Sequence, residues 1–148
     1  MNLKNLATLG LFAALALGAA ELRAADDVAA SGRPAASRNR IVFQVNEDDS
    51  RKWNTVLANV RNVQEDLGRA ELAVVVIGPG LGMLKGDALT ANQVQDAMAA
   101  GVRFVACGNS MQALHLTQDD MIDGIAYAKA GYVELMRLQQ QGWAYVRP

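Results

Sequence analysis

Leu72-Ala73-Val74-Val75-Val76-Ile77 is an unbroken apolar run, followed at once by Gly78-Pro79-Gly80-Leu81-Gly82. A strand with no polar position offers neither face to water. It is therefore read as a strand of a parallel sheet, covered by helices on both sides. The glycines and the proline behind it break the chain into a loop reaching Leu89. Upstream, Trp53, Val56, Leu57, Val60, Val63 and Leu67 recur at helical spacing, with Gly68 as the stop, and Ile41-Val42-Phe43-Gln44-Val45 precedes them as a short strand. Downstream, Thr90 with Gln93 reads as a capping box opening a helix that carries Val94, Ala97 and Met98 and ends at Gly101. Val102 to Ala106 is the third strand. Asn109 or Ser110 is expected to cap a helix bearing Met111, Leu114 and His115, and Thr117 with Asp120 to cap a short turn. Ile125 to Ala128 is a fourth strand, Gly131 to Gln141 a helix, and Trp143 to Val146 a last strand. Strands alternating with helices predict an α/β three-layer sandwich around a mainly parallel five-stranded sheet over residues 40–148. Ligands of such sheets bind outside the carboxyl ends of the strands. The segments expected to converge there are 46–50, 78–89 and 107–110.

The N-terminal region reads differently. Lys4 precedes the uncharged apolar run Leu6 to Ala20, which Glu21 and Arg23 close. That pattern is expected to be a signal peptide over residues 1–24, with a retained single-helix anchor as the competing reading. Export to the periplasm follows from it, with no membrane span once the leader is removed. Residues 25–39 are small, charged and without apolar period, and read as a disordered linker. From Arg40 onward ten Lys/Arg face twelve Asp/Glu, a net charge of about −2 with no basic run, so the chain has no nucleic-acid-binding character.

Cys107 is the only cysteine, so it cannot form a disulfide within the chain. It follows a buried strand and precedes a turn-and-cap signal. That places its thiol beside free backbone N–H groups at a positive helix end, where the thiolate is favoured. The competing reading is an inert, packed cysteine. Gly108, Asn109 and Ser110 are expected to approach a sulfur anion bound there, with Asn46, Gly78 and Lys85 contributed by the other two loops. His115, the only histidine, has three readings: a packed side chain, a general base for the thiol, or a soft-metal ligand with Cys107 and Met111 on one helix face. No cofactor signature is read. Gly78 to Gly82 lacks the dinucleotide spacing, and the acidic cluster Glu47-Asp48-Asp49 has no completing His or Cys and is expected to cap the Trp53 helix.

Two blocks carry a resemblance. Gly101-Val102-Arg103-Phe104-Val105-Ala106-Cys107-Gly108-Asn109-Ser110-Met111 and the tail from Gly131 to Tyr145 together resemble an exported branch of the DsrE/DsrF-like family. The resemblance covers residues 40–148. It implies a small α/β domain assembling as trimers or hexamers. For members with a cysteine after the third strand, the position of Cys107, it implies sulfur carriage as a cysteine persulfide, with sulfur donor and acceptor proteins as partners. A rhodanese-like loop is absent, since Ala113 stands where its arginine would be. The expectation is a periplasmic sulfur carrier or sulfurtransferase-like protein. Its alternatives are a non-catalytic oligomeric module binding a small ligand or partner, and soft-metal handling.

Overall fold

The computed structural model describes residues 39–148. The expected signal peptide, and the linker up to residue 38, lie outside the described residues. Asn39 already belongs to the first strand. Strands β1 (Asn39–Val45), β2 (Ala70–Val76), β3 (Arg103–Cys107), β4 (Ala126–Ala128) and β5 (Ala144–Val146) form one sheet in the order β4-β3-β2-β1-β5. Every neighbouring pair is parallel, with Phe43 beside Val74, Val74 beside Phe104 and Cys107 beside Ala128. The helices are α1 (Ser50–Leu67), α2 (Ala91–Ala99), α3 (Gly108–Ala113) and α4 (Gly131–Gln140), with 3-10 turns at Gly78–Leu84 and Gln118–Asp120. Among the described residues no helix is long and apolar enough to cross a membrane.

The apolar run that suggested this architecture is buried from Leu72 to Ile77, and its side chains alternate between two cores. Leu72, Val74 and Val76 join Phe43, Phe104 and Ala106 against Trp53, Val56, Leu57 and Val60 of α1 and Val94 of α2. Ala73, Val75 and Ile77 join Val42, Val105 and Cys107 against Leu135 and Leu138 of α4. Period-two alternation with both sets apolar is what a strand buried on both faces requires.

The strand order decides where a site can form. From β1 to β4 each connection moves one strand along the sheet, and α1, α2 and Met111 of α3 pack on one face. The chain then returns from β4 to the opposite edge through α4, on the other face. Neighbouring strands β3 and β4 thus send their following helices to opposite faces. A crevice opens outside their carboxyl ends, the usual ligand position in such sheets.

Several local expectations change. The stretch from Gly78 to Leu84 is a 3-10 helix rather than an open loop, with Leu81, Met83 and Leu84 fully buried. It lies so close to the end of β1 that a Cβ on Gly80 would stand 2.9 Å from the Cα of Asn46. Thr90 precedes α2 without capping it. It is buried, and its hydroxyl donates instead to the Met83 carbonyl at 3.4 Å. The Thr117–Asp120 capping box does form, and Asp49 caps α1 by accepting from the Arg51 N–H at 2.9 Å.

Candidate functional site

Cys107 is the last residue of β3 and the N-cap of α3. Asn109 and Ser110, expected as caps, instead lie in the first turn. The residue is 4% exposed. The Gly131 N–H, at the start of α4, donates to its sulfur at 3.2 Å. The Asn109 N–H donates to the Lys129 carbonyl at 3.0 Å, tying the start of α3 to the β4–α4 connection. Ser110 Oγ accepts from the Gly78 N–H at 2.8 Å, which leaves its own O–H to donate to the thiol. Burial pushes the Cys107 thiol up. The Ser110 hydroxyl and the N–H groups of Gly131, Ser110 and Asn109 outweigh that, and the pKa falls below the ordinary thiol value. All the groups that lower it are dipoles. Among the described residues no cation contributes to the shift.

Cys107 lies in the wall of a cleft of about 410 Å³, with Gly78, Asn109 and Ser110 as neighbours and Ile77, Leu114 and Tyr132 among its apolar walls. The volume is in the range of small-molecule sites. A separate groove of about 570 Å³ runs between α4 and β5, and Tyr132 borders both. Among the described residues that line that groove there is no cysteine, serine or histidine.

The profile of the DsrE/DsrF-like family matches residues 39–148, which include all five strands and Cys107. The chain belongs to the DsrE/DsrF-like family. The family is generally associated with sulfur metabolism. Among solved structures, a protein of unknown function from Methanobacterium thermoautotrophicum, MTH1491, is 34% identical. The match covers 74% of this chain and 99% of that one, with a TM-score of 0.73. The ychN protein from E. coli is 15% identical over 74% of this chain and 99% of its own, with a TM-score of 0.65. A conserved protein of unknown function from Bacteroides thetaiotaomicron, BT1422, is 11% identical over 72% and 94%, with a TM-score of 0.58. The last two share the fold. Comparison with curated proteins gives no match.

Of the residues expected at the site, the structure brings Cys107, Asn109, Ser110 and Gly78 together. Gly108 adjoins them but does not line the cleft. A Cβ there would meet the carbonyls of Ala128 and Lys129 at 3.4 and 3.5 Å. Asn46 lies beyond β2, at the end of β1, and accepts from Gln44 at 3.3 Å. Lys85 pairs with Asp87 at 3.1 Å, next to Met121. His115 is exposed, past the end of α3, with a positive φ of 54°. It is therefore not a packed side chain, the first of the three readings. Met111 belongs to the opposite core from Cys107, so the Cys–Met–His face does not assemble. Among the described residues no group of three His, Cys, Asp or Glu is placed to hold a metal ion.

Among the residues that sequence reasoning overlooked are Ala130, which precedes α4, and Gly131 and Tyr132 at its start. Their placement follows from strand order, which no local spacing reveals. The strand paired with β3 contributes the loop facing Cys107.

Proposed function

We propose that this protein is a sulfur carrier that accepts sulfane sulfur on Cys107 as a persulfide and passes it to an acceptor thiol. The observation that carries the reading is the thiol in the cleft wall, held by the Gly131 N–H at 3.2 Å and the Ser110 hydroxyl, with its pKa lowered. Held this way, the thiolate is available as the nucleophile for exchange-type attack on sulfur. Its sulfur attacks the outer sulfur of a persulfide or polysulfide, the older S–S bond breaks, and the donor leaves as a thiolate. Delivery repeats the step, with the acceptor thiolate attacking the sulfur carried by Cys107. Membership in a family associated with sulfur metabolism supports the same chemistry.

The carrier is proposed to act after export, on the strength of Lys4 and the uncharged run Leu6 to Ala20. Intact-mass measurement on protein from its native host should find an N-terminus between Glu21 and Asp27, in the soluble fraction. Residues 1–20 retained in the membrane fraction would sink that part of the proposal.

Carriage itself is tested on native protein. Polysulfide should add about 32 Da, one sulfur, reversible by a reductant. Cys107→Ala should remove the adduct while leaving the fold intact. A Cys107 that resists both maleimide and polysulfide from about pH 6 to 9 would overturn the carrier reading. The cleft would then be the site of a non-catalytic binding module.

A further inference from the structure

We infer that the Cys107 cleft selects sulfur donors with an uncharged, apolar organic tail, of the form R–S–S–H, over donors whose tail carries negative charge. The inference rests on the carrier reading and names its substrate class. It follows from what the cleft wall contains and from what it lacks. Ile77, Pro79, Ala113, Leu114, Ala130 and Tyr132 surround the thiol with hydrocarbon, and among the described residues no lysine, arginine or histidine lines the cleft. Lys85 is paired with Asp87, and His115 is not a wall residue. The dipoles that favour a negative sulfur, the Gly131 N–H and the Ser110 hydroxyl, are already engaged with Cys107 itself.

A donor carrying carboxylates or a sulfonate would lose hydration on entering. It would meet the Cys107 thiolate with no cation to offset either cost. An apolar tail gains from the same walls, because Leu114 and Tyr132 are 44% and 62% exposed and would be covered by it.

The transfer balances without an external oxidant or reductant. The Cys107 thiolate attacks the outer sulfur of R–S–S–H and a Cys107 S–S bond forms. The donor's own S–S bond breaks, its electron pair leaves on R–S⁻, and the proton stays on the transferred sulfur.

The test compares second-order loading rates of the full-length protein by mass spectrometry, using benzyl persulfide and the persulfide of mercaptosuccinate. Each rate is divided by that of a small free thiol, with inorganic polysulfide as the loading control. The expected result is a benzyl preference of roughly tenfold or more over the free thiol. Leu114→Lys and Tyr132→Lys, both on exposed positions, should move the ratio toward the dicarboxylate by about threefold or more. Leu89→Lys, at a position 91% exposed and outside the cleft, should leave it unchanged. Loading by polysulfide, with a donor ratio equal to the free thiol's and unmoved by the lysine variants, overturns the selectivity and leaves carriage standing. Absence of loading by all three donors overturns both.

Discussion

A thiolate held by dipoles differs from one held by a cation, because its support can be removed one group at a time. At Cys107 the supporting groups are the Ser110 hydroxyl and three backbone N–H groups, working against burial. Ser110 is the one side chain among them, and the Gly78 N–H fixes its oxygen. Ser110→Ala should therefore raise the pH midpoint of maleimide labelling. The loss is about 1 kcal/mol of thiolate stabilisation, close to fivefold in rate at neutral pH. Ser110→Thr, which keeps the hydroxyl, should restore most of it. A merely structural serine would change melting without moving the midpoint. The sign of the pH linkage is also determined. A thiol whose folded pKa is lowered binds fewer protons folded than unfolded. Its contribution is fully present above the unfolded value of about 8.5 and is lost as pH falls through the folded value. The stability of wild type relative to Cys107→Ala should accordingly grow as pH rises from neutral toward that value, in denaturant titrations at two or more pH values. His115 stands outside the cleft with its side chain in solvent. His115→Gln should leave the loading rate within about twofold, since an exposed substitution away from the thiol removes no contact.

At the scale of elements, α4 does the positioning, and it depends on the absence of a side chain at Gly131. A Cβ there would fall 2.6 Å from Ile77 Cγ1 and 3.1 Å from Cys107 Cβ. Gly131→Ala should push the start of α4 away from β3, cost about 1–3 kcal/mol, and raise the labelling midpoint by withdrawing the N–H donor. Gly108→Ala meets only ordinary contacts of 3.4 Å and longer. It should be neutral, or stabilising by up to about 1 kcal/mol, in the same melting and labelling assays. This pair of glycines shows what was legible in the chain. The apolar hexad at Leu72 and the helical period from Trp53 to Leu67 revealed the layers, because burial on two faces or on one stripe leaves a direct imprint on residue type. Cys107 at the strand end was legible for the same local reason. The role of Gly131 was not. It arises from Cys107 lying beside Ala128 in the sheet, a non-local pairing with no spacing signature. Thr90 and Thr117 make the same point about caps. Each has a suitable partner three residues on, yet only Thr117 forms its box, since Thr90 is buried where a carbonyl competes for its hydroxyl. His115 misled because i, i+4, i+8 geometry presumes one continuous helix, and α3 stops at Ala113.

At the scale of the whole molecule, uncovered apolar side chains gather beside the groove between α4 and β5. Tyr132 and Met136 of α4 and Tyr145 of β5 are each 41–62% exposed, and all three border the 570 Å³ groove. Tyr145 is not loosely placed there. Its hydroxyl donates to Gln44 Oε1 at 2.6 Å, and the buried Gln44 amide donates to Asn46. The partly apolar ring is thereby held over the groove. Strand β5 is also a sheet edge, with unpaired backbone groups on its outer side. A domain of this size buries a limited core of its own, and contiguous exposed apolar surface commonly marks an association site. The expected outcome is a homo-oligomer built through the α4–β5 face, sedimenting well above the 15.8 kDa chain at micromolar concentration. Met136→Glu should shift it toward monomer while changing the melting of the isolated fold little, because the side chain is 47% exposed. Because Tyr132 borders both the groove and the Cys107 cleft, dissociation should also alter the rate of thiol labelling. A wild-type protein that sediments only as monomer would refute the assembly. An oligomer untouched by Met136→Glu would move the interface to another face.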